Sequence, residues 1–317
     1  MVPATGISRR AILGGGVGVA LGTRAVSSPF AREGFAAVPG GKVWWRTVGQ
    51  GPKVALLTIH GGPGAGHDYL QPLEALADER MVILYDQLGC GRSDIPPNRS
   101  LWNIGRFEKE LDSLRASLGL NRIVIYGHSW GGWLAIDYLL NGARGVDGVI
   151  LASTSASLKQ YEQGTRRRLK ELPGDLAVKA ARLEREGKTR SLQYSNIVDQ
   201  FDRSFLLRLK QPSMLARASG QNIARSPAYE VMQGINEFTV TGNLKGWNRE
   251  PELSRIQIPT LILTSEFDEV TPDCAETLHR GIARSELVSI RGAAHLAMVE
   301  KPQEYVQVLR QFLAKFA

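Results

Sequence analysis

Apolar residues recur along this chain in short, separate runs, each followed by a stretch with a different period. Val43 to Val48 and Lys53 to Ile59 have the length and β-branched content of strands, and a glycine turn at Gly61 to Gly66 follows them. Tyr69 to Asp78 repeats its apolar positions every three to four residues, as a helix does, and Met81 to Tyr85 is again a short apolar run. The amphipathic segment Phe107 to Leu118, the strand-like Arg122 to Tyr126 and the helical Trp130 to Leu140 continue the alternation. Strand, helix, strand, helix implies a mostly parallel sheet covered by helices on both faces.

From about Ser153 to Lys245 the alternation stops. The segment is rich in Arg, Lys, Glu, Gln and Leu, with helical periodicity over Leu169 to Glu186 and Ile197 to Leu209, and it reads as an inserted helical cap. The alternation resumes with a strand at Pro259 to Thr264, a helix at Cys274 to Ile282, a strand at Glu286 to Ile290 and a helix from Gln303 to Phe316. The expected division is a leader over residues 1–31, a first part of the core over 32–152, a cap over 153–246 and a second part of the core over 247–317. At 317 residues, one core carrying one insertion is the economical organisation.

Composition changes this picture little. The apolar and charged fractions are those of a water-soluble globular protein, and no uninterrupted apolar run reaches the ~18 residues of a membrane span. The formal charge of +8 raises the question of a polyanionic partner. Three of those charges, Arg9, Arg10 and Arg24, sit in the leader, which has no acidic residue. The densest remaining run, Arg166-Arg167-Arg168 with Lys170, lies near Glu162 and Glu171 without interleaved aromatics and reads as a solvated helix face. No nucleic-acid partner is expected. Cys90 and Cys274 have neither metal-ligand spacing nor the pattern of a disulfide framework, and neither a metal nor a cofactor is expected.

The leader itself carries a signal. Ser8-Arg9-Arg10-Ala11-Ile12-Leu13 places paired arginines before a Gly/Ala/Val/Leu stretch that runs to Leu21, which resembles a twin-arginine export signal. Export would place the protein in the periplasm or outside the cell; a weakly apolar tail on a cytoplasmic protein is the alternative. Ala25, Ser27 and Ala31 remain open as ends of the leader.

The chemistry centres on Gly127-His128-Ser129-Trp130-Gly131, which follows a strand and opens a helix, the context of a nucleophile elbow. A serine hydroxyl needs a base, and the base needs a carboxylate to orient it. In this fold class the chain order is Ser, acid, His. Of the five histidines, at 60, 67, 128, 279 and 295, His295 comes just after a strand and can return to the sheet's carboxyl edge, whereas His279 lies inside a helix. Asp268 ends the apolar run Leu261 to Thr264, with Asp273 as the competing cap of the next helix. The expected triad is Ser129 as nucleophile, His295 as general base and then acid, and Asp268 as the group that orients the imidazole. The backbone N–H of Trp130 and a second donor from His60-Gly61-Gly62-Pro63-Gly64 would form the oxyanion hole. His60 reads as a structural loop histidine. Near the elbow, Trp130 is the expected aromatic wall of the substrate pocket. The whole describes an α/β-hydrolase fold with an inserted helical cap.

Four segments together carry a closer resemblance. His60-Gly61-Gly62-Pro63-Gly64, Asp86-Gln87-x-Gly89-x-Gly91-Arg92-Ser93, Gly127-His128-Ser129-Trp130-Gly131-Gly132 and Asp268-Glu269-x-Thr271-Pro272 resemble the proline iminopeptidase family. With Asn236-Glu237-Phe238-Thr239-Val240-Thr241-Gly242 at the end of the cap, the chain looks most like the tricorn-interacting aminopeptidases and the L-proline amide hydrolases. The resemblance implies release of an amino-terminal residue, proline or another apolar one, from short peptides or amino-acid amides, without a metal. It also implies Glu237 and Glu269 as carboxylates for the substrate's ammonium and Gly62 as the oxyanion donor of its loop. The chain departs from the family's pattern at Gln233-Gly234-Ile235 and Lys245-Gly246-Trp247-Asn248, which leaves the preferred residue open. Oligomeric state is not specified by the sequence. An esterase or lactonase on a small metabolite, and a silent binding protein of the same fold, are the competing readings.

Overall fold

Strands buried at every position need cover on both faces, and two runs of this kind, Ile123–His128 (β5) and Thr260–Ser265 (β9), lie in the middle of the molecule. A computed structural model describes residues 30–317; the paired arginines and the rest of the leader up to residue 29 lie outside the described residues. Eight strands form one sheet. They are Arg32–Val38 (β1), Gly41–Val48 (β2), Lys53–Ile59 (β3), Arg80–Tyr85 (β4), β5, Val146–Ala152 (β6), β9 and Ser285–Ile290 (β10), in the order β1-β2-β4-β3-β5-β6-β9-β10. The first three are antiparallel neighbours, and every pairing from β4 to β10 is parallel.

Helices close both faces, and two apolar clusters fill the space between. One gathers around Phe107, Trp130, Trp133 and Leu134, the other around Leu70, Tyr126, Leu309 and Phe312. Ile104–Ser117 (α1) and Trp130–Leu140 (α2) follow the sequence expectation closely. Two strands are not singled out by the apolar pattern. β1 is an edge strand with only Ala36 buried, so it lacks an apolar face, and in β6 Asp147 and Gly148 separate Val146 from the apolar run that follows. The helix expected over Tyr69 to Asp78 is a 3-10 helix, Asp68–Asp78, that contains Pro72, whose ring supplies no N–H.

Between β6 and β9 the chain forms Leu158–Glu171 (α3), Leu176–Arg185 (α4), Leu192–Phe201 (α5), Met214–Arg225 (α6) and Pro227–Met232 (α7). The hairpin of Gly234–Asn236 (β7) and Thr239–Val240 (β8) follows. This segment has its own apolar cluster, built on Leu169, Tyr194, Phe201 and Phe238. The long helix expected over Leu169 to Glu186 is two helices, because Pro173-Gly174 breaks the chain between α3 and α4. The second, expected over Ile197 to Leu209, ends at Phe201 and passes into a π-turn, Asp202–Leu206. Pro272–Gly281 (α8), Ala297–Glu300 (α9) and Pro302–Leu313 (α10) complete the fold. Among the described residues no helix is long and apolar enough to cross a membrane.

The topology has one consequence for chemistry. The loops after β3, β5, β9 and β10 all leave the sheet at its carboxyl edge, and each carries one of the polar groups singled out above.

Candidate active site

Ser129 joins β5 directly to α2 with φ 56° and ψ −123°. A non-glycine residue in the left-handed half of the map costs about 1–3 kcal/mol, so its surroundings must hold it there. They do so by close backbone approach. A Cβ on Gly127 would lie 2.5 Å from the Gly131 carbonyl oxygen, and one on Gly131 would lie 2.2 Å from that of Ile59. The Ser129 N–H donates to Ala152 O at 2.9 Å, and its carbonyl accepts from Thr154 Oγ1 at 2.9 Å. Its hydroxyl has no hydrogen-bond partner among the described residues and faces a cavity.

His295 and Asp268 meet from the loops after β10 and β9. Nδ1 of the imidazole lies 2.7 Å from Asp268 Oδ1, which also accepts from Val270 N–H at 3.0 Å; Asp268 is fully buried and His295 is 3 % exposed. This bond places the proton on Nδ1 and leaves Nε2 as the basic nitrogen. Nε2 faces the same cavity as Ser129 and stands 3.6 Å from Glu269 Oε1.

The glycine loop after β3 stands beside Ser129. Gly62 has φ 111° and precedes a cis peptide to Pro63. Among the described residues neither the Gly62 N–H nor the Trp130 N–H donates to a protein acceptor. His60 holds the loop from beneath, with Nδ1–H donating to Gly61 O at 2.9 Å and Nε2 accepting from Gln87 N–H at 3.0 Å. Burial pushes its pKa down to about 4, so the ring is neutral. A second buried imidazole links this loop to His295. The Gly61 N–H donates to Tyr69 Oη at 2.7 Å, Tyr69 donates to His128 Nδ1 at 2.9 Å, and His128 Nε2–H donates to His295 O at 3.0 Å. Burial, reinforced by the neighbouring His295, holds His128 well below the usual histidine range. Neither Tyr69 nor His128 is picked out by sequence reasoning, since the positions next to the nucleophile and in a 3-10 turn carry no chemical signature of their own.

Trp130 is not a pocket wall. Its side chain is fully buried, packs edge-on against Phe107 at 5.4 Å, and donates Nε1–H to Gln87 Oε1 at 2.8 Å. At the first position of α2 its side chain turns into the core, and its N–H directly follows Ser129. The walls come instead from Leu206, Leu207, Ala216 and Ile223, in the stretch of the sequence with the least legible pattern.

The cavity has a volume of about 60 Å³. Glu237, in the turn between β7 and β8, and Glu269, which is 1 % exposed, both line it. Tyr161 Oη lies 3.1 Å from Glu237 Oε2 and 3.4 Å from Glu269 Oε1, and Tyr229 donates to Glu237 Oε1 at 2.8 Å. The two carboxylates are thereby brought to one hydroxyl. A larger groove of about 790 Å³ beside α1 shares no residue with this cavity.

The arginine run of α3 is a solvated face only in part: Arg167 and Lys170 are exposed, whereas Arg166 is half-buried and Arg168 is buried. Arg166 makes a two-pronged pair with Glu184, both contacts at 3.0 Å, and Arg167 pairs with Asp273 at 2.7 Å. Arg168 is buried against the loop that carries Asp268.

The depressed pKa of His60 makes a stability prediction. As pH falls the unfolded chain binds this proton first, so the effect is absent well above pH 6.5 and grows from there toward about 4. Between pH 7 and 5 wild type should lose about 2 kcal/mol more unfolding free energy than His60→Gln. Urea titrations of the pair at both pH values check this, and parallel losses would refute it.

A family model described as the alpha/beta hydrolase fold matches residues 54–302. The proline iminopeptidase of Heyndrickxia coagulans is 39% identical over 89% of this chain and 98% of its own length, and that of Saccharolobus solfataricus is 36% identical over 89% and 92%. Among solved structures, VinJ superposes with a TM-score of 0.86 at 29% identity, covering 90% of this chain and 99% of that one. The proline iminopeptidase of Mycobacterium smegmatis superposes at 0.84 with 27% identity, covering 90% and 98%. Several esterases of 19–24% identity share the fold. Sheet order, elbow and near full-length likeness agree: the chain belongs to the proline iminopeptidase family of α/β-hydrolases.

Proposed function

We propose that this protein is a serine aminopeptidase that releases amino-terminal proline from short peptides and from amino-acid amides through an acyl-enzyme on Ser129. The observation that carries the reading is the pair Glu237 and Glu269, held by Tyr161 in the cavity that Ser129 and His295 also face. An ammonium loses its hydration on entering such a cavity, and facing carboxylates replace it. The secondary ammonium of an amino-terminal proline has two N–H bonds, one for each carboxylate.

In this reading the Ser129 hydroxyl attacks the carbonyl carbon while His295 Nε2 takes its proton, and Asp268 holds the imidazole in the required tautomer. The Gly62 and Trp130 N–H groups receive the oxyanion. The imidazolium then protonates the departing amine, and water, activated by the same nitrogen, frees the acid. No metal or cofactor enters these steps. Residues 153–246 act as a cap that closes the cavity over a core of residues 32–152 and 247–317. Small peptides and amides are the expected partners. Residues 1–31 are proposed to direct export through the twin-arginine pathway, and replacing both Arg9 and Arg10 by lysine should then retain a reporter fusion in the cytoplasm; undiminished export would exclude that route.

Replacing Ser129 by Ala should lower kcat on a prolyl anilide by roughly four to six orders of magnitude and abolish labelling by a fluorophosphonate. Glu237→Gln should weaken kcat/KM for free-amine substrates by about 2–5 kcal/mol while sparing N-acetylated ones. Equal turnover of free and N-acetylated prolyl anilides by the wild type would reject the aminopeptidase reading in favour of an esterase-like one.

A further inference from the structure

Asp268 and His295 stand on loops that leave different strands, and both loops are gripped by the helical insertion. The first grip is a backbone one. Phe205 O accepts from the N–H of Glu269 at 3.2 Å and from the N–H of His295 at 3.1 Å, and Leu206 O accepts from Leu296 N–H at 3.0 Å. These carbonyls belong to the π-turn Asp202–Leu206, and such turns interrupt the regular helical ladder, often at functional sites. The second grip is a side chain. Arg168 of α3 is 9 % exposed and donates Nε–H to Asp268 O and Nη2–H to Glu266 O, each at 2.9 Å, while Nη1 meets Glu171 at 3.1 Å. Its guanidinium lies 5.2 Å from the centre of the Phe205 ring, so the two grips are in contact.

A buried guanidinium is costly unless its N–H groups are used, and here two of them are spent on carbonyls that bracket Phe267, one residue before and one after it. A planar fork can hold both carbonyls at once; an ammonium is a point charge that cannot reproduce that geometry. The same stretch of backbone has a second duty. Leu206 and Leu207 wall the cavity, so the residues that meet the substrate's side chain adjoin the carbonyls that hold the imidazole's own peptide.

We propose that Arg168 is a positioning residue for the hydrolytic reaction: with the Phe205 carbonyl it fixes the Asp268–Glu269 loop against the His295 loop, so that the insertion sets the aim of the general base. The proposal rests on the assignment of His295 as base made above. It implies that selectivity for the residue in the cavity is expressed in kcat as well as in KM.

Arg168→Lys keeps a positive charge opposite Glu171 and loses the fork. It should lower kcat on a prolyl anilide about 10- to 100-fold, the scale of an ångström-sized misplacement, with KM changed less than about twofold. The downfield proton resonance of the His295 Nδ1–H bonded to Asp268 should shift or broaden, while circular dichroism and the melting transition report a folded protein. Glu171→Gln, which removes only the outer ion pair, should match wild type in both rate and resonance. The resonance needs no substrate, so a wild type that fails to cleave prolyl substrates would defeat the functional reading without touching this one. An unmoved resonance in Arg168→Lys overturns the proposal, as does an unchanged kcat against an active wild type. Loss of fold overturns it too, because Arg168 would then be a stability residue.

Discussion

The site depends on one steric constraint: the backbone on either side of Ser129 comes so close to its neighbours that no side chain fits. The distances from a virtual Cβ on Gly127 and Gly131 to carbonyl oxygens are below any real contact, and a Cβ on Gly61 would meet that of Ser129 at 3.0 Å. This approach holds the serine in a conformation it would not adopt alone. It also seats the glycine loop after β3 against the first turn of α2, where two N–H groups are left without protein acceptors. The sheet is the frame that makes such proximity affordable, because its central strands are buried on both faces and cannot shift to relieve the strain.

Electrostatics then sorts the histidines. His60 and His128 are fully buried, and desolvation keeps both uncharged, at His60 against the opposing pull of the nearby Asp86 carboxylate. Each serves as a fixed donor and acceptor, one under the glycine loop and one between Tyr69 and the His295 carbonyl. His295 differs because a carboxylate faces its Nδ1. Three imidazoles in one neighbourhood thus differ in their partners, and the partner of each nitrogen, not the residue type, sets what each ring can donate or accept.

Much of this was legible in the chain. The alternation of short apolar runs with helical periods announced the parallel sheet, and the glycine spacing around Ser129 located the elbow, because both are imposed by local geometry. Asp268 and His295 were singled out by chain order and by their places after strands, and their side chains do meet. What stayed hidden depended on distant contacts. Arg168 looks like one charge in a polar run until the loop of Asp268 is folded over it, and Trp130 looks like a pocket wall until α2 turns its side chain toward Phe107. The edge strand β1 has no apolar face to reveal it, and the walls at Leu206, Leu207 and Ile223 lie in helices whose pattern reports their own small core as much as the cavity.

The lining of the cavity joins two kinds of surface. Leu207 and Ile223 are apolar, and Glu237 and Glu269 bring two carboxylates to the same space. Carboxylates kept beside apolar walls lose part of their hydration, so the empty site holds a desolvation cost that a cationic group entering it would relieve.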